Sequence, residues 1–310
     1  MPEIDKPHPF PPGGLWQGIV RRTQAALAQG ALVPIVTEQT RVEDGGVNFI
    51  VRSVSALTRK EADKRKRMEA GREPANPFLP YEEALYVADV SDHHVCLLNK
   101  FNVIDHHLLI VTRRFEHQEA LLTAGDFHAL WRCLSEFPGL GFYNGGVVAG
   151  ASQVHKHLQV VPLPLAENGP AVPMAVLFDR IDWEGETGRV TGLPFVHAFS
   201  RLEAVEGDAS RAAPRLHEVY RGLLRATGLR EIPVNGETRQ SGPYNLLLTR
   251  EWMLLVPRSR EHSGSISINA LGFAGALLVR NAEEMQSIRR HGPMNILRQV
   301  SFERRVPSRE

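Results

Sequence analysis

The stretch Gly145-Gly-Val-Val-Ala-Gly-Ala-Ser-Gln-Val-His-Lys-His-Leu-Gln-Val-Val161 places a glycine-rich turn directly before an apolar segment with a polar residue at every second position. Successive side chains of an extended strand point to opposite faces of its sheet. His155, His157 and Gln159 are therefore expected to share one face, with Lys156 on the other. A glycine-rich turn beside such a face suits a phosphate held by main-chain N–H groups. The pattern predicts phosphate chemistry at the histidines.

The composition of the chain limits the classes of function. Its 310 residues allow two domains, or one large fold built from two halves. Because 36 basic residues balance 35 acidic ones, we expect no nucleic-acid partner, and an anionic ligand needs a local site. Cys96 and Cys133 lie in apolar surroundings, as reduced thiols of a cytoplasmic protein do. No signal-peptide pattern or long apolar run is present, so no membrane partner is expected.

Hydrophobic periodicity and turn signals predict an α+β fold. Strands are predicted over residues 32–42, 47–54, 84–90, 95–98, 107–112, 142–143, 154–162, 195–199, 244–249 and 252–257. Helices are predicted over residues 15–27, 126–137 and 216–224, and residues 266–279 are predicted as a strand followed by a helix. Asp126 is the expected cap of the second helix. Residues 163–173 contain Pro, Asn and Gly, and are the predicted linker between two halves.

The histidine row predicts a covalent reaction at phosphorus. Histidine can attack an electrophile at neutral pH without a separate base. His157 is the expected nucleophile because neighbours on both sides can orient it, and His155 is expected to position its ring or contact the phosphate. Gln159 can donate N–H groups to a phosphate oxygen but cannot protonate a leaving group. A polyphosphate departs readily as an anion, so this glutamine favours transfer between phosphates.

A metal site is an alternative interpretation of the histidines. A His-x-His pair on a strand is often half of a zinc site. The neighbouring pairs His93-His94 and His106-His107, together with His117, offer further ligands. No Cys-x-x-Cys motif or ligand-bearing helix accompanies them, so we expect no protein-bound metal.

Several separated motifs resemble one family. Beyond residues 150–159, they are Asn76-Pro-Phe-Leu-Pro80, Leu97-Leu-Asn-Lys-Phe101, His107-Leu-Leu-Ile-Val-Thr112, Tyr244-Asn-Leu-Leu-Leu-Thr-Arg-Glu-Trp252 and Val256-Pro-Arg-Ser259. By these motifs the chain resembles the ATP adenylyltransferases, also called diadenosine tetraphosphate (Ap4A) phosphorylases. They belong to the superfamily of histidine-triad (HIT) proteins and galactose-1-phosphate uridylyltransferases. The resemblance covers nearly the whole chain.

The resemblance implies a fold and an activity. The fold is HIT-like, with a mainly antiparallel sheet, flanking helices and two halves, residues 1–165 and 190–310, that complete one active site. The activity is cleavage of Ap4A by inorganic phosphate to ATP and ADP through an adenylyl group on His157. The implied partners are these nucleotides and phosphate. Mg²⁺ is expected to accompany the polyphosphate without a protein metal site, and a monomer is the expected state.

The resemblance also implies a set of substrate-binding positions. These positions are Lys60, Asn99, Lys100, Asn144, Gly150, Ala151, Ser152, Gln153, Gln159, Asn269, Ala270, Leu271, Ala276 and Arg280. The chain departs from some members, which carry Met and Lys where it has Ala276 and Arg280. A solvated loop lysine is the alternative interpretation of Lys60, and a core-facing helical alanine that of Ala276.

Other functions stay open at this level. A hydrolase would release AMP from His157 by water, although superfamily members of that kind tend to carry a third His where this chain has Gln159. A nucleotide-binding module without turnover would not need a nucleophile. A sugar-1-phosphate nucleotidyltransferase would place Pro between the histidines, where this chain has Lys156.

Overall fold

The computed structural model describes residues 13–54, 76–202, 208–234 and 237–304. The helices in these ranges are α1 (Leu15–Ala28), α2 (Ala124–Glu136), α3 (Ala209–Ala226), α4 (Ala270–Phe273), α5 (Ala282–His291) and α6 (Pro293–Gln299). The strands up to the middle of the chain are β1 (Thr37–Asp44), β2 (Val47–Val54), β3 (Tyr86–Ser91), β4 (His94–Leu98), β5 (Leu108–Thr112), β6 (Gly139–Gly145) and β7 (His157–Pro162). The later strands are β8 (Ile181–Glu184), β9 (Thr187–Val190), β10 (Ala198–Arg201), β11 (Glu231–Val234), β12 (Glu237–Gln240), β13 (Tyr244–Leu248), β14 (Trp252–Pro257), β15 (His262–Ser263), β16 (Ile266–Ser267) and β17 (Ala276–Val279).

One large antiparallel sheet unites both parts of the chain. Its strand order is β3-β4-β5-β7-β6-β13-β14-β10-β9-β8. Each half of this sheet contributes five strands. From the outer edge to the centre, the strands of each half stand in the order first, second, third, fifth and fourth along the chain. The halves meet where β6 pairs with β13 and Asn144 lies opposite Asn245. The expected α+β fold with a mainly antiparallel sheet is confirmed.

Two layers cover the large sheet, one on each face. Helices α1, α2 and α3 bury one face, into which Tyr143 and Leu158 point. A three-stranded sheet of β1, β2 and β17, together with α5 and α6, covers the other face, into which Phe142 and Leu247 point. Because side chains alternate along a strand, the residues on either side of Leu158 face the second layer. The histidine strand therefore carries its polar row toward the three-stranded sheet.

Several predicted boundaries were wrong, each because of a tertiary contact. Residues 276–279 form a strand instead of a helix, since β17 pairs in parallel with β2. Residues 32–36 form no strand, because the N–H groups of Val33 and Ile35 bond to the loop carbonyls of Lys100 and Asn102. The first strand accordingly begins at residue 37.

Three further starting points differ from the predictions. Helix α2 is capped by Thr123, whose side chain accepts from the N–H of Asp126, and Asp126 is the third residue of this capping box. Strand β7 begins at His157, three residues later than predicted, and the strand predicted at 195–199 begins at Ala198. No helix among the described residues is long and apolar enough to cross a membrane.

Candidate active site

A cavity of about 800 Å³ lies between the large sheet and the three-stranded sheet. The predicted substrate-binding residues that line it are Asn99, Lys100, Asn144, Gly150, Ser152, Gln153, Gln159, Asn269, Leu271, Ala276 and Arg280. The predicted nucleophile His157 lines it as well. Ala151 and Ala270, which were predicted to bind the substrate, do not line it, and neither does His155, which was predicted to position the ring of His157 or contact the phosphate. Lys60 lies outside the described residues.

His157 is held in one tautomer. Its Nδ1–H donates to the main-chain carbonyl oxygen of His155 at 2.8 Å. The proton on Nδ1 leaves the lone pair of Nε2 free, as a nucleophile requires. Burial lowers the pKa of His157 to about 4, so the ring is neutral at pH 7. A neutral imidazole with a free Nε2 is competent to attack phosphorus.

A buried glutamine fixes the main chain of the nucleophile. The side-chain oxygen of Gln118 accepts from the N–H of His157 at 2.9 Å, and its Nε2 donates to the carbonyl oxygen of His157 at 3.2 Å. The same Nε2 donates to the carbonyl oxygen of Asn144 at 2.9 Å. Gln118 therefore ties the nucleophile to the strand that enters the glycine-rich turn. The sequence motifs gave no sign of this residue, because it lies outside them.

The ring of His155 does not reach the cavity. Its Nε2 donates to the carbonyl oxygen of Thr112 at 2.8 Å, and its Nδ1 accepts from Asn76 Nδ2 at 3.0 Å. Phe78 lines the cavity and contacts the rings of both histidines, with centroids 5.6 Å from His155 and 5.4 Å from His157. Burial lowers the pKa of His155, so this ring is also neutral. The main-chain carbonyl of His155 contacts the nucleophile, whereas its ring anchors the neighbouring loop.

Gln159 is oriented by a relay of two side chains. Asn99 Oδ1 accepts from the N–H of Phe101 at 3.4 Å, so its Nδ2 faces His107 and donates to Nδ1 at 3.1 Å. His107 Nε2 therefore carries the proton and donates to Gln159 Oε1 at 2.9 Å. The amide nitrogen of Gln159 is left to donate to a ligand. Burial lowers the pKa of His107 to about 4, which keeps this donor arrangement at neutral pH.

Asn144 is oriented in a similar way. Its Oδ1 accepts from Asn245 Nδ2 at 2.8 Å and from the N–H of Ala270 at 2.9 Å, so its Nδ2 is left for a ligand. Asn245 Oδ1 in turn accepts from the buried guanidinium of Arg258 at 2.6 Å. Arg258 also donates to the carbonyl oxygens of Ala149 and Ile268, at 3.3 and 2.9 Å. This arginine joins the glycine-rich turn to the last third of the chain.

The glycine-rich turn depends on Gly150. Its φ of +87° lies in the left-handed region, which glycine enters without steric cost. A Cβ atom at this position would lie 2.7 Å from the carbonyl oxygen of Ile268 and 2.9 Å from Asn269 Cβ. The turn therefore packs directly on residues 268–269, and both segments line the cavity.

The side chain of Lys156 points away from the cavity, as predicted, and is fully buried. Its Nζ donates to Asp126 Oδ2 at 2.7 Å and to Glu116 Oε2 at 3.1 Å. Asp126 Oδ1 also accepts from His94 Nε2 at 2.9 Å. These partners hold the pKa of Asp126 well below its usual range although burial opposes the shift. The ion pair fastens the start of β7 to helix α2.

Charged side chains also line the cavity. Lys100 pairs with Glu82 at 2.5 Å, and Arg280 pairs with Glu284 at 2.8 Å. Arg52 also lines the cavity, although no sequence pattern indicated it. Among the described residues, no group of three or more His, Cys, Asp or Glu side chains is placed to bind a metal ion.

Comparisons with known proteins match both parts of the chain. The model of the Ap4A phosphorylase N-terminal domain matches residues 5–180, and that of the ATP adenylyltransferase C-terminal domain matches residues 191–303. Protein APA1 of Saccharomyces cerevisiae is 27% identical over 290 residues, which cover 86% of either chain. Diadenosine 5',5'''-P1,P4-tetraphosphate phosphorylase 2 of the same organism is 28% identical over 301 residues, covering 88% of this chain and 90% of that protein.

Solved structures agree with these matches. The crystal structure of yeast Ap4A phosphorylase Apa2 superposes with a TM-score of 0.72 at 26% identity, covering 93% of this chain and 97% of that chain. Its complex with Ap4A gives a TM-score of 0.72 at 25% identity over the same shares. Its complex with AMP gives a TM-score of 0.73 at 25% identity, covering 96% of this chain and 98% of that chain.

Proposed function

The chain belongs to the Ap4A phosphorylase family, and on that premise we propose that it cleaves Ap4A with inorganic phosphate through a covalent adenylyl-His157 intermediate. The products are ATP and ADP, and the chain is a nucleotidyltransferase. The observation that carries the proposal is the neutral, buried His157, whose Nδ1–H is bonded to a main-chain carbonyl and whose Nε2 is free. The names of its yeast relatives support the substrate.

The first half-reaction forms a nitrogen–phosphorus bond. The Nε2 lone pair of His157 attacks the α-phosphorus of one adenylyl group, and the bond from that phosphorus to the bridging oxygen breaks. The electron pair leaves with the triphosphate, so ATP is released and AMP stays on the ring. Positive charge develops on the imidazole as the bond forms, and the carbonyl oxygen of His155 stabilises it through the Nδ1–H group.

The second half-reaction reverses this chemistry with a new acceptor. An oxygen of inorganic phosphate attacks the adenylyl phosphorus, the nitrogen–phosphorus bond breaks and ADP is released. His157 regains its free Nε2 lone pair and keeps the Nδ1 proton. In both steps the free amide N–H groups of Gln159 and Asn144 are oriented to donate to phosphate oxygens as negative charge builds up.

Mg²⁺ is proposed to arrive with the polyphosphate as part of the substrate. The described acidic residues that line the cavity, Glu82 and Glu284, are each paired with a cation. Neither is placed to hold a metal alone, and Mg²⁺ prefers phosphate oxygens and water when it has few carboxylates. The protein residues would then bind the complex through its phosphates.

The cellular setting is part of the same proposal. Cys96 and Cys133 are buried and free, which supports a reducing compartment such as the cytoplasm. A monomer, the state expected from the sequence, is proposed as the active form. Light scattering after size-exclusion chromatography measures the oligomeric state directly.

Product analysis tests the reaction. Ap4A and Mg²⁺ are incubated with the protein in the presence and absence of inorganic phosphate, and the nucleotides are separated by ion-exchange chromatography. ATP and ADP in equal amounts, appearing only with phosphate, are expected. ATP and AMP without phosphate would instead establish a hydrolase, and no turnover in either sample would contradict the proposal.

A further inference from the structure

Arg52 lines the cavity, and its positive charge is balanced only weakly by other groups of the protein. Its Nη2 donates to the carbonyl oxygen of Leu165 at 3.2 Å, whereas its Nε–H is buried without a hydrogen-bond partner. No carboxylate among the described residues pairs with it. Burial lowers the pKa of Arg52, an effect that the charge of Asp105 only partly offsets. A guanidinium in this state is stabilised by an anion that enters the cavity.

The three-stranded sheet places Arg52 beside Arg280. Strand β17 runs parallel to β2, and Leu278 lies opposite Arg52. Arg280 follows directly after Val279, the last residue of β17, so its main chain lies at the end of the strand that neighbours Arg52. All three residues line the cavity. Both arginines therefore line the cavity from the three-stranded sheet, Arg52 from β2 and Arg280 from the end of β17.

The two arginines differ in how their charge is balanced. Arg280 donates to Glu284 Oε1 through Nη2 at 2.8 Å and through Nε at 3.1 Å, and Nη2 also donates to the carbonyl oxygen of Ser265 at 2.5 Å. Glu284 is buried and neutralises this side chain. Arg280 is thus fixed in place, whereas Arg52 supplies the unbalanced charge of the pair.

A continuous wall connects this pair to the nucleophile. The glycine-rich turn packs at Gly150 on residues 268–269, and Ser267 and Asn269 also line the cavity. Ser265 then bonds to Arg280, whose strand neighbours Arg52. A phosphate chain that starts at His157 can follow this wall past the glycine-rich turn to the two arginines.

We propose that Arg52 binds the polyphosphate of the departing ATP and sets the preference for substrates with four bridging phosphates. The inference rests on the proposed function, in which the bond that breaks leaves a triphosphate on the second nucleoside. A substrate with a three-phosphate bridge releases ADP, which has one phosphate fewer to reach Arg52. Arg52 is therefore a specificity-determining residue that recognises the distal phosphates.

Equilibrium binding tests this assignment without turnover. Calorimetric titrations with ATP and with AMP are made on the His157→Ala protein, with and without Arg52→Gln. The loss of a guanidinium–phosphate contact is expected to weaken ATP binding about tenfold or more, and AMP binding by less than twofold. Arg52→Lys, which keeps the charge, is expected to give an intermediate loss.

Kinetics with two substrates give the second readout. In the protein with His157 intact, Arg52→Gln is expected to lower kcat/KM for Ap4A about tenfold and that for diadenosine triphosphate about twofold or less, so that discrimination falls. Arg41→Gln is the matched control, because Arg41 lies on neighbouring β1, donates to the carbonyl oxygen of Asn168 at 3.0 Å and does not line the cavity. It is expected to change neither value.

Three results would overturn the assignment. Equal weakening of ATP and AMP binding would mean that Arg52 acts on the nucleoside or only on the fold, and unchanged binding of both would exclude a contact. A higher KM for inorganic phosphate alone would place Arg52 at the acceptor. If the wild-type protein fails to cleave Ap4A, the contrast between ATP and AMP binding still decides the role of Arg52. Should Arg52→Gln not fold, the same contrast in Arg52→Lys decides it.

Discussion

The Nδ1–H group of His157, the first residue of β7, donates to the main-chain oxygen of His155, two residues earlier in the chain, at 2.8 Å. The motif therefore supplies both the nucleophile and the acceptor that selects its tautomer. The ring of His155 is used differently, since it bonds to Thr112 and Asn76 outside the cavity. Two histidines of one row thus have unlike tasks, which their spacing alone does not reveal.

Replacement of the nucleophile separates chemistry from binding. His157→Ala is expected to lower the rate of Ap4A cleavage at least about a thousandfold, because the group that accepts the adenylyl moiety is removed. ATP affinity, measured by calorimetry, is expected to stay within a few-fold of the wild-type value. His93→Ala, at an exposed histidine, is the control and is expected to be fully active. Substantial phosphorolysis by His157→Ala would contradict the assignment of the nucleophile.

The pH dependence of the first half-reaction reports the environment of His157. Its pKa is lowered by burial to about 4, so the neutral, reactive form persists down to nearly that pH. The burst of ATP released from Ap4A without phosphate is expected to be as fast at pH 5.5 as at pH 7.5, within about twofold. A histidine with an ordinary pKa of about 6.5 would be some 90% protonated at pH 5.5 and slow by about tenfold. That slower burst would show that the ring is solvated.

The buried ion pair beneath the nucleophile predicts a stability effect. Asp126→Asn removes the carboxylate that Lys156 and His94 share, and leaves a buried ammonium poorly compensated. The free energy of unfolding is expected to fall by about 3–5 kcal/mol in urea titrations. Arg215→Ala breaks exposed ion pairs with Glu186 and Glu218 and is expected to cost less than about 1 kcal/mol. Equal losses in the two variants would contradict this account.

Gly150→Ala tests the contact between the glycine-rich turn and residues 268–269. The new Cβ would lie 2.7 Å from the carbonyl oxygen of Ile268, and the left-handed φ of residue 150 is unfavourable for alanine. The KM for Ap4A is expected to rise at least about tenfold as the turn shifts. Gly169→Ala is the matched control, since Gly169 also has a left-handed φ of +106° but nothing within 4 Å of its Cβ position. It should cost about 1–2 kcal/mol of stability without changing KM.

Gln159→His tests the choice between phosphate and water as acceptor. The amide of Gln159 accepts from His107 and keeps its nitrogen as a donor, whereas a histidine can also protonate a leaving group. The share of AMP among the products is expected to rise in this variant, as measured by chromatography at fixed phosphate concentration. An unchanged ratio of AMP to ADP would mean that another feature controls the acceptor.

Much of the site could be predicted because its signal is local. The glycine-rich turn and the alternation of residues 155–159 are properties of consecutive residues, so they indicated a phosphate site and its strand. His107 was noted as a metal-ligand alternative and as part of a family motif, without the role it has in orienting Gln159. Gln118 gave no sign at all, and Arg258 stood only inside a family motif without a role, since each acts through buried bonds to partners distant in sequence.

The sequence by itself determined the α+β class and the strand that carries His157 and Gln159. It also determined that Lys156 lies on the opposite face from these two residues. These follow from local periodicity, which a single strand already contains. Only the tertiary structure decided that residues 276–279 form a strand and that Arg52 lines the cavity. An apolar tetrapeptide suits a helix or a strand equally well, and pairing with β2, more than 220 residues earlier in the chain, made the choice.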